Sequence, residues 1–226
     1  MRRREDTEEH FLKLVQITGI STALQEILYG FIMSLIFIYA TRFGILSYSS
    51  SLEFIVVVVG MNFSWGAIDG IVYYYLSSCN QRIYHRVISG KSDLSHDKEI
   101  EFLLDELSGS PAGVLKEDDL RDICERITTM ETKSEEQLHS DKKEIAKTSL
   151  GMFIFTAITL IPVVIPILVM PDFMEALAMA SYISSFVLFL VGYYLGPYLG
   201  VNKWVSGFML FLLSISISII ATFTGG

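Results

Sequence analysis

Residues 54–78, FIVVVVGMNFSWGAIDGIVYYYLSS, carry one charge, Asp69, in 25 positions. A helix needs about 20 mostly apolar residues to cross roughly 30 Å of hydrocarbon, so this stretch predicts a membrane span. Four more stretches meet the same requirement: Ala23 to Leu46 before it, and Leu150 to Met170, Phe173 to Leu199 and Lys203 to Phe223 after it. Polar or Pro/Gly breaks separate them at Arg42 to Glu53, Met170-Pro171-Asp172 and Gly200-Val201-Asn202. The expected fold is an all-α integral membrane protein with five transmembrane helices.

Composition agrees: 51% of the 226 residues are hydrophobic, 19% are charged and the mean hydropathy is +0.47. Of 42 charged side chains, 27 fall between Cys79 and Lys147. The chain is therefore expected to divide into an N-terminal segment (1–22), spans one and two (23–78), an acidic helical insert (79–147) and spans three to five (148–226). The net charge of −8 argues against nucleic-acid binding, which needs a basic face to neutralise phosphates. Cys79 and Cys124 are too few and too far apart for a CxxC site and read as ordinary thiols. The Arg2-Arg3-Arg4 start lacks the short apolar core and small-residue site of a cleaved signal, so the first span is expected to be retained.

Lys and Arg near spans favour the cytoplasmic side. With the N-terminus inside, 16 of the 17 basic residues lie inside and only Arg42 lies outside. This places the N-terminus and insert in the cytoplasm and the C-terminus on the opposite side. Glu8 to Gln25 has the pattern of an amphipathic lead-in helix, with Phe11, Leu12, Leu14, Val15 and Ile20 interleaved with His10, Lys13 and Gln16. It would lie in the interface or pack on the insert.

Glu26 and Asp69 are the two acids well within the spans. Such a group costs several kcal/mol unless it is paired, protonated or wet, which marks it as a candidate for an ion pathway. Glu26 has a second reading: it lies about a turn from the boundary and can extend towards headgroups. Gly66 and Gly70 leave one face of span two open to close helix approach. Met33 and Met61 add soft sulfur ligands of the kind transition metals accept, although methionine also packs well. Pro162 and Pro166 each free a carbonyl one turn earlier, so span three should face protein or a cavity. Gly192-x-x-x-Gly196-x-x-x-Gly200 suggests close packing of span four against another span or a second copy of the chain.

Three stretches share one resemblance: Ser149-Leu150-Gly151-Met152-Phe153 through Ile161-Pro162-Val163-Val164-Ile165-Pro166, then Phe186 to Tyr193, then Gly66-Ala67-Ile68 with Tyr75-Leu76-Ser77. They resemble, in that order, the third span, the fourth span and parts of the second span of the vacuolar iron transporter family. The resemblance implies a five-span carrier of iron or manganese with a cytoplasmic metal-collecting insert. That family places an Asp-Gly in span one; here Met33-Ser34 stands there and Asp69-Gly70 stands in span two. Either the acid has crossed the same cavity or this is a divergent branch.

Within the insert, Ile100, Leu103, Leu104 and Leu107 form one helical stripe, and Leu120, Ile123, Cys124 and Ile127 a second. Ser110-Pro111-Ala112-Gly113 connects them, and a polar helix from Lys133 to Lys147 leads into span three. The resembled family repeats Glu-x-x-Glu in this region. The nearest spacings here are Asp119-x-x-Asp122-x-x-Glu125 and Asp141-x-x-Glu144, which keep carboxylates on one helix face. Glu99, Glu101, Asp105, Glu106, Glu135, Glu136 and His139, with His96, would complete a metal site only if folding converges them. His10 and His85 read as surface residues.

The expected function is transport of a divalent transition-metal ion by a dimeric secondary carrier exchanging against protons at Asp69 or Glu26. The ion is the substrate, and no tightly bound cofactor is expected. The alternative is a non-transporting scaffold whose acidic insert binds a protein partner. No phosphate-cradling Gly-Lys loop and no recognisable catalytic triad or HExxH motif points to an enzyme.

Overall fold

A computed structural model describes residues 14–224. Among the described residues there is no strand, and five helices are long and apolar enough to cross a membrane, as fits a multi-pass membrane protein. In chain order the helices are α1 (Ile20–Arg42), α2 (Ser51–Ile88), α3 (His96–Ser108), α4 (Glu117–Ile127), α5 (Glu135–Ile158), α6 (Ile161–Val169), α7 (Phe173–Leu195) and α8 (Lys203–Thr224). Single 3-10 turns occupy Pro111–Val114 and Gly196–Leu199. The candidate spans are α1, α2, α5 continued by α6, α7 with its 3-10 extension, and α8.

Helix ends differ from the hydropathy limits for local reasons. The first span stops at Arg42 rather than Leu46, because Gly44 adopts a left-handed φ of 72° and the Ile45 N–H turns back to Ala40 O at 2.8 Å. The second continues past Ser78 to Ile88, about 57 Å of helix at 1.5 Å per residue. Hydropathy falls there, but Asn80, Gln81, Arg82 and His85 do not break a helix; Gly90, at φ 63°, follows its end. α5 begins with a reciprocal cap. The Ser134 N–H bonds Gln137 Oε1 at 2.9 Å and the Gln137 N–H bonds Ser134 Oγ at 3.3 Å. It then runs unbroken from polar into apolar sequence.

The N-terminal lead-in is not one helix. Residues 14–18 are helical and Gly19, at φ 86°, interrupts before α1; the positive φ is one that glycine adopts without steric cost. The piece packs on α5 within the first unit: the Thr148 hydroxyl donates to Ile17 O at 3.0 Å, and Val15 is buried in the core. The Glu8 to Lys13 part of that expectation, His10 included, lies outside the described residues.

The chain divides into two compact units, one of residues up to Tyr73 and from Ala146 onward, the other Tyr74–Ile145. In the first, α7 packs on α8, α1 and α6, and α1 also packs on α8. Its core includes Phe31, Leu35, Ile38, Phe54, Val58, Phe155, Val163, Leu177 and Leu188. Phe54 meets Tyr48 and Phe173 edge-on, with ring centroids 5.2 and 5.6 Å away. The outward faces of α2 and α8 remain apolar and exposed, Ile71, Val72, Phe208 and Leu212 among them. Apolar residues on both sides suit a helix with protein on one side and lipid on the other. In the second unit Val87 joins Ile100, Leu103 and Cys124 in a small core, with Ile127 and Leu107 packed against it, close to the two predicted stripes.

Candidate functional site

In the first unit α5 lies so close to α1 and α2 that glycines are needed at the contacts. A Cβ on Gly70 would stand 2.9 Å from Ser149 O, and one on Gly66 3.1 Å from Thr156 Cβ. A Cβ on Gly30 would collide with Thr159. The Gly66 and Gly70 face is therefore turned towards α5, and the Ser149 hydroxyl closes the gap by donating to Gly70 O at 2.6 Å.

Thr156 sits where the three helices meet. Its hydroxyl donates to Glu26 Oε2 at 2.8 Å and lies 3.2 Å from Met152 O. Glu26 is only 1% exposed, so its carboxylate is turned into the protein rather than extended towards headgroups. The carbonyl of Thr156 is covered by the Thr159 hydroxyl at 2.7 Å, because the Leu160 N–H goes to Ala157 O instead. This break between α5 and α6 falls just before Pro162, in the first turn of α6, where a missing N–H costs little. Pro166 is buried inside α6, in the protein-facing position expected for it.

On the neighbouring face of α1 and α2 a groove of about 510 Å³ brings together Asp69, Met33 and Met61, three of the four residues singled out for an ion pathway. Tyr29, Trp65 and Phe37 add aromatic surface, and Ala221 and Thr222 of α8 also line it. Among the described residues no hydrogen bond or ion pair engages Asp69. Glu26 does not line the groove.

Beside the groove stands a polar pair that hydropathy did not single out. Asn62, fully buried, donates through Nδ2 to Ser34 Oγ at 3.1 Å and to Val58 O at 3.0 Å. Ser34 donates to Gly30 O at 3.0 Å. Asn62 Oδ1 is buried without a hydrogen-bond partner. An amide inside an otherwise apolar span was the available signal for Asn62; Thr156 gave none, since threonine is common in membrane helices.

The glycines of α7 are used within the chain. Gly192 and Gly196 face Ser206 and Gly207 of α8, with Ser206 O 2.5 Å from where a Gly192 Cβ would lie. Gly200 does not continue that stripe, because α7 ends at Leu195 and Gly200 turns left-handed at φ 72°.

In the second unit the candidate acids are dispersed. Glu99 is buried, accepts from the Ser92 hydroxyl and lies 3.9 Å from His96 Nδ1. Glu106 accepts from Tyr84 Oη at 2.8 Å. Asp141 is held by Lys133 at 2.6 Å and Gln81 at 3.0 Å. Asp122 and Glu125 line one surface pocket with His96, while Glu101 and Asp105 line another with Arg121. Asp119, Glu135, Glu136, His139 and Glu144 are exposed. Among the described residues, no three His, Cys, Asp or Glu side chains converge closely enough to hold a metal ion.

No family model matches this chain, and no curated protein matches it either.

Proposed function

We propose that the chain is a membrane carrier for a divalent transition-metal ion, iron(II) or manganese(II), with Asp69 as its principal ligand. The observation that carries this reading is the groove that presents the Asp69 carboxylate together with the Met33 and Met61 thioethers. A carboxylate with soft sulfur donors favours a first-row transition metal over magnesium or calcium. Glu26, buried beside Thr156 outside the groove, is the second acid of the spans. Exchange against protons at these two acids would return the carrier empty.

The orientation follows from the basic residues: N-terminus and acidic segment cytoplasmic, C-terminus opposite. With the α7 glycines engaged by α8, the outer face of α2 is where a second copy would meet the first. The resemblance of spans two to four to vacuolar iron transporters points the same way. Purified protein in liposomes, supplied with Fe(II), Mn(II), Co(II) or Zn(II) across a pH gradient, tests the reading. Uptake that Asp69→Asn removes supports it; a folded wild type that moves none of the four ions refutes it and favours the scaffold reading.

A further inference from the structure

The groove is much larger and more apolar than a metal ion requires. Its volume of about 510 Å³ falls within the roughly 300–1,000 Å³ typical of sites for organic ligands. An ion stripped of water needs about six oxygen ligands. Its side-chain oxygens are the Asp69 carboxylate and the hydroxyls of Tyr29 and Thr222, too few for that shell, amid hydrocarbon, two thioethers and aromatic rings. Among the described residues, no basic side chain lines the groove. Tyr29 and Trp65 are each nearly half exposed along it, so ring surface is available to an occupant rather than buried in packing.

One unpaired carboxylate in an apolar, aromatic cleft matches one positive charge on a large apolar body. We propose that this groove binds an amphipathic organic cation, a quaternary ammonium or phosphonium being the simplest form. The charge lies at Asp69 with the Trp65 and Tyr29 rings, and the hydrocarbon lies against Met33 and Phe37. A cation over the faces of Trp and Tyr is attracted by their ring quadrupoles, most strongly where water is excluded. A single carboxylate then leaves the bound pair neutral, which a bilayer interior favours. Such a molecule partitions into lipid and enters from the side on which Trp65 and Met61 are exposed. The proposal does not depend on metal transport, and an occupied groove would block Asp69 as an ion ligand.

The test uses the full chain in lipid nanodiscs titrated with labelled tetraphenylphosphonium, whose charge is fixed at every pH, with empty nanodiscs correcting for partitioning. The expected result is saturable binding at about one site per chain, weakened at least about tenfold by Asp69→Asn, the scale of losing one partner of a partly buried charge pair. Trp65→Leu weakens it several-fold, as loss of a cation–π contact should. Uncharged triphenylphosphine oxide does not compete. Absence of saturable binding overturns the proposal, as does equal competition by the neutral analogue, which would mark a cavity for lipid chains. If Asp69→Asn does not fold, Trp65→Leu and the neutral competitor decide the matter. Binding by a protein that moves no metal ion sustains this proposal and removes the carrier reading. Metal uptake with no tetraphenylphosphonium binding does the reverse.

Discussion

Gly60 and Gly70 both lie inside α2, and replacing either by alanine makes the same chemical change. Their surroundings differ. A Cβ on Gly60 meets nothing within 4 Å, whereas one on Gly70 stands 2.9 Å from Ser149 O. Carbon and carbonyl oxygen meet comfortably at roughly 3.3–3.6 Å, so α5 would have to move by about half an ångström. The obstruction is backbone and cannot rotate aside, and the same shift stretches the Ser149–Gly70 hydrogen bond. Overpacking of this kind costs about 1–3 kcal/mol, while removing glycine from a helix returns about 0.5–1 kcal/mol at both sites. The helix term cancels in the comparison, so Gly70→Ala is expected to be less stable than Gly60→Ala by about 2 kcal/mol. At about 2–4 °C per kcal/mol for a chain of this size, that is a difference of roughly 4–8 °C. Thermal midpoints of the two detergent-solubilised variants, read by size-exclusion recovery after heating, measure it. Equal midpoints, or a higher one for Gly70→Ala, would refute the close α2–α5 packing.

Glu26→Gln keeps a partner for the Thr156 hydroxyl and should leave the midpoint nearly unchanged, while Glu26→Ala should lower stability by about 2 kcal/mol through loss of buried contacts. Both are checked in the same melting assay. Leu103→Ala removes a side chain from a small core whose other buried members, among the described residues, are Val87, Ile100 and Cys124; a loss of about 2–4 kcal/mol should appear as faster proteolysis within residues 74–145. Burial pushes the Cys124 thiol above its ordinary range, with Arg121 opposing weakly, so Cys124 should resist maleimide in the native protein and label on denaturation, as peptide mass spectrometry would show. The unfolded thiol ionises at lower pH than the folded one. This contribution to stability is therefore intact below the ordinary thiol pKa and declines as pH rises from there towards the folded value, and melting of wild type against Cys124→Ala between pH 7 and 10 should show the difference narrowing.

The membrane helices were legible because a bilayer imposes a length and a polarity on every crossing, and residues 54–78 meet both. Their ends were less so. Hydropathy reports where lipid stops, not where hydrogen bonding stops, so α2 continues through Asn80 to Arg86 and α1 ends early at Gly44. Asp69, Met33 and Met61 were singled out by residue chemistry, and all three line one groove. The burial of Glu26 against Thr156 was not, since it joins residues 130 positions apart and depends on which faces of α1 and α5 meet. For the acids between Glu99 and Glu144, the three-residue spacing correctly places Asp122 and Glu125 on one face. It carries no information on whether neighbouring helices turn their own acids towards it.

The bond from Asn62 to Ser34 acts as a register pin. If α1 slipped by one turn along α2, the amide would face Gly30 or Ile38 in place of the Ser34 hydroxyl and keep only its bond to Val58 O within α2, a loss that no water makes good in a bilayer. The slip is thereby penalised out of proportion to the size of the contact. The groove lined by Met33 and Tyr29 of α1 and by Met61 and Asp69 of α2 is held in the same register. The amide fixes the spacing of the groove without touching anything in it, so a change at Asn62 should alter what the groove admits before it alters whether the chain folds.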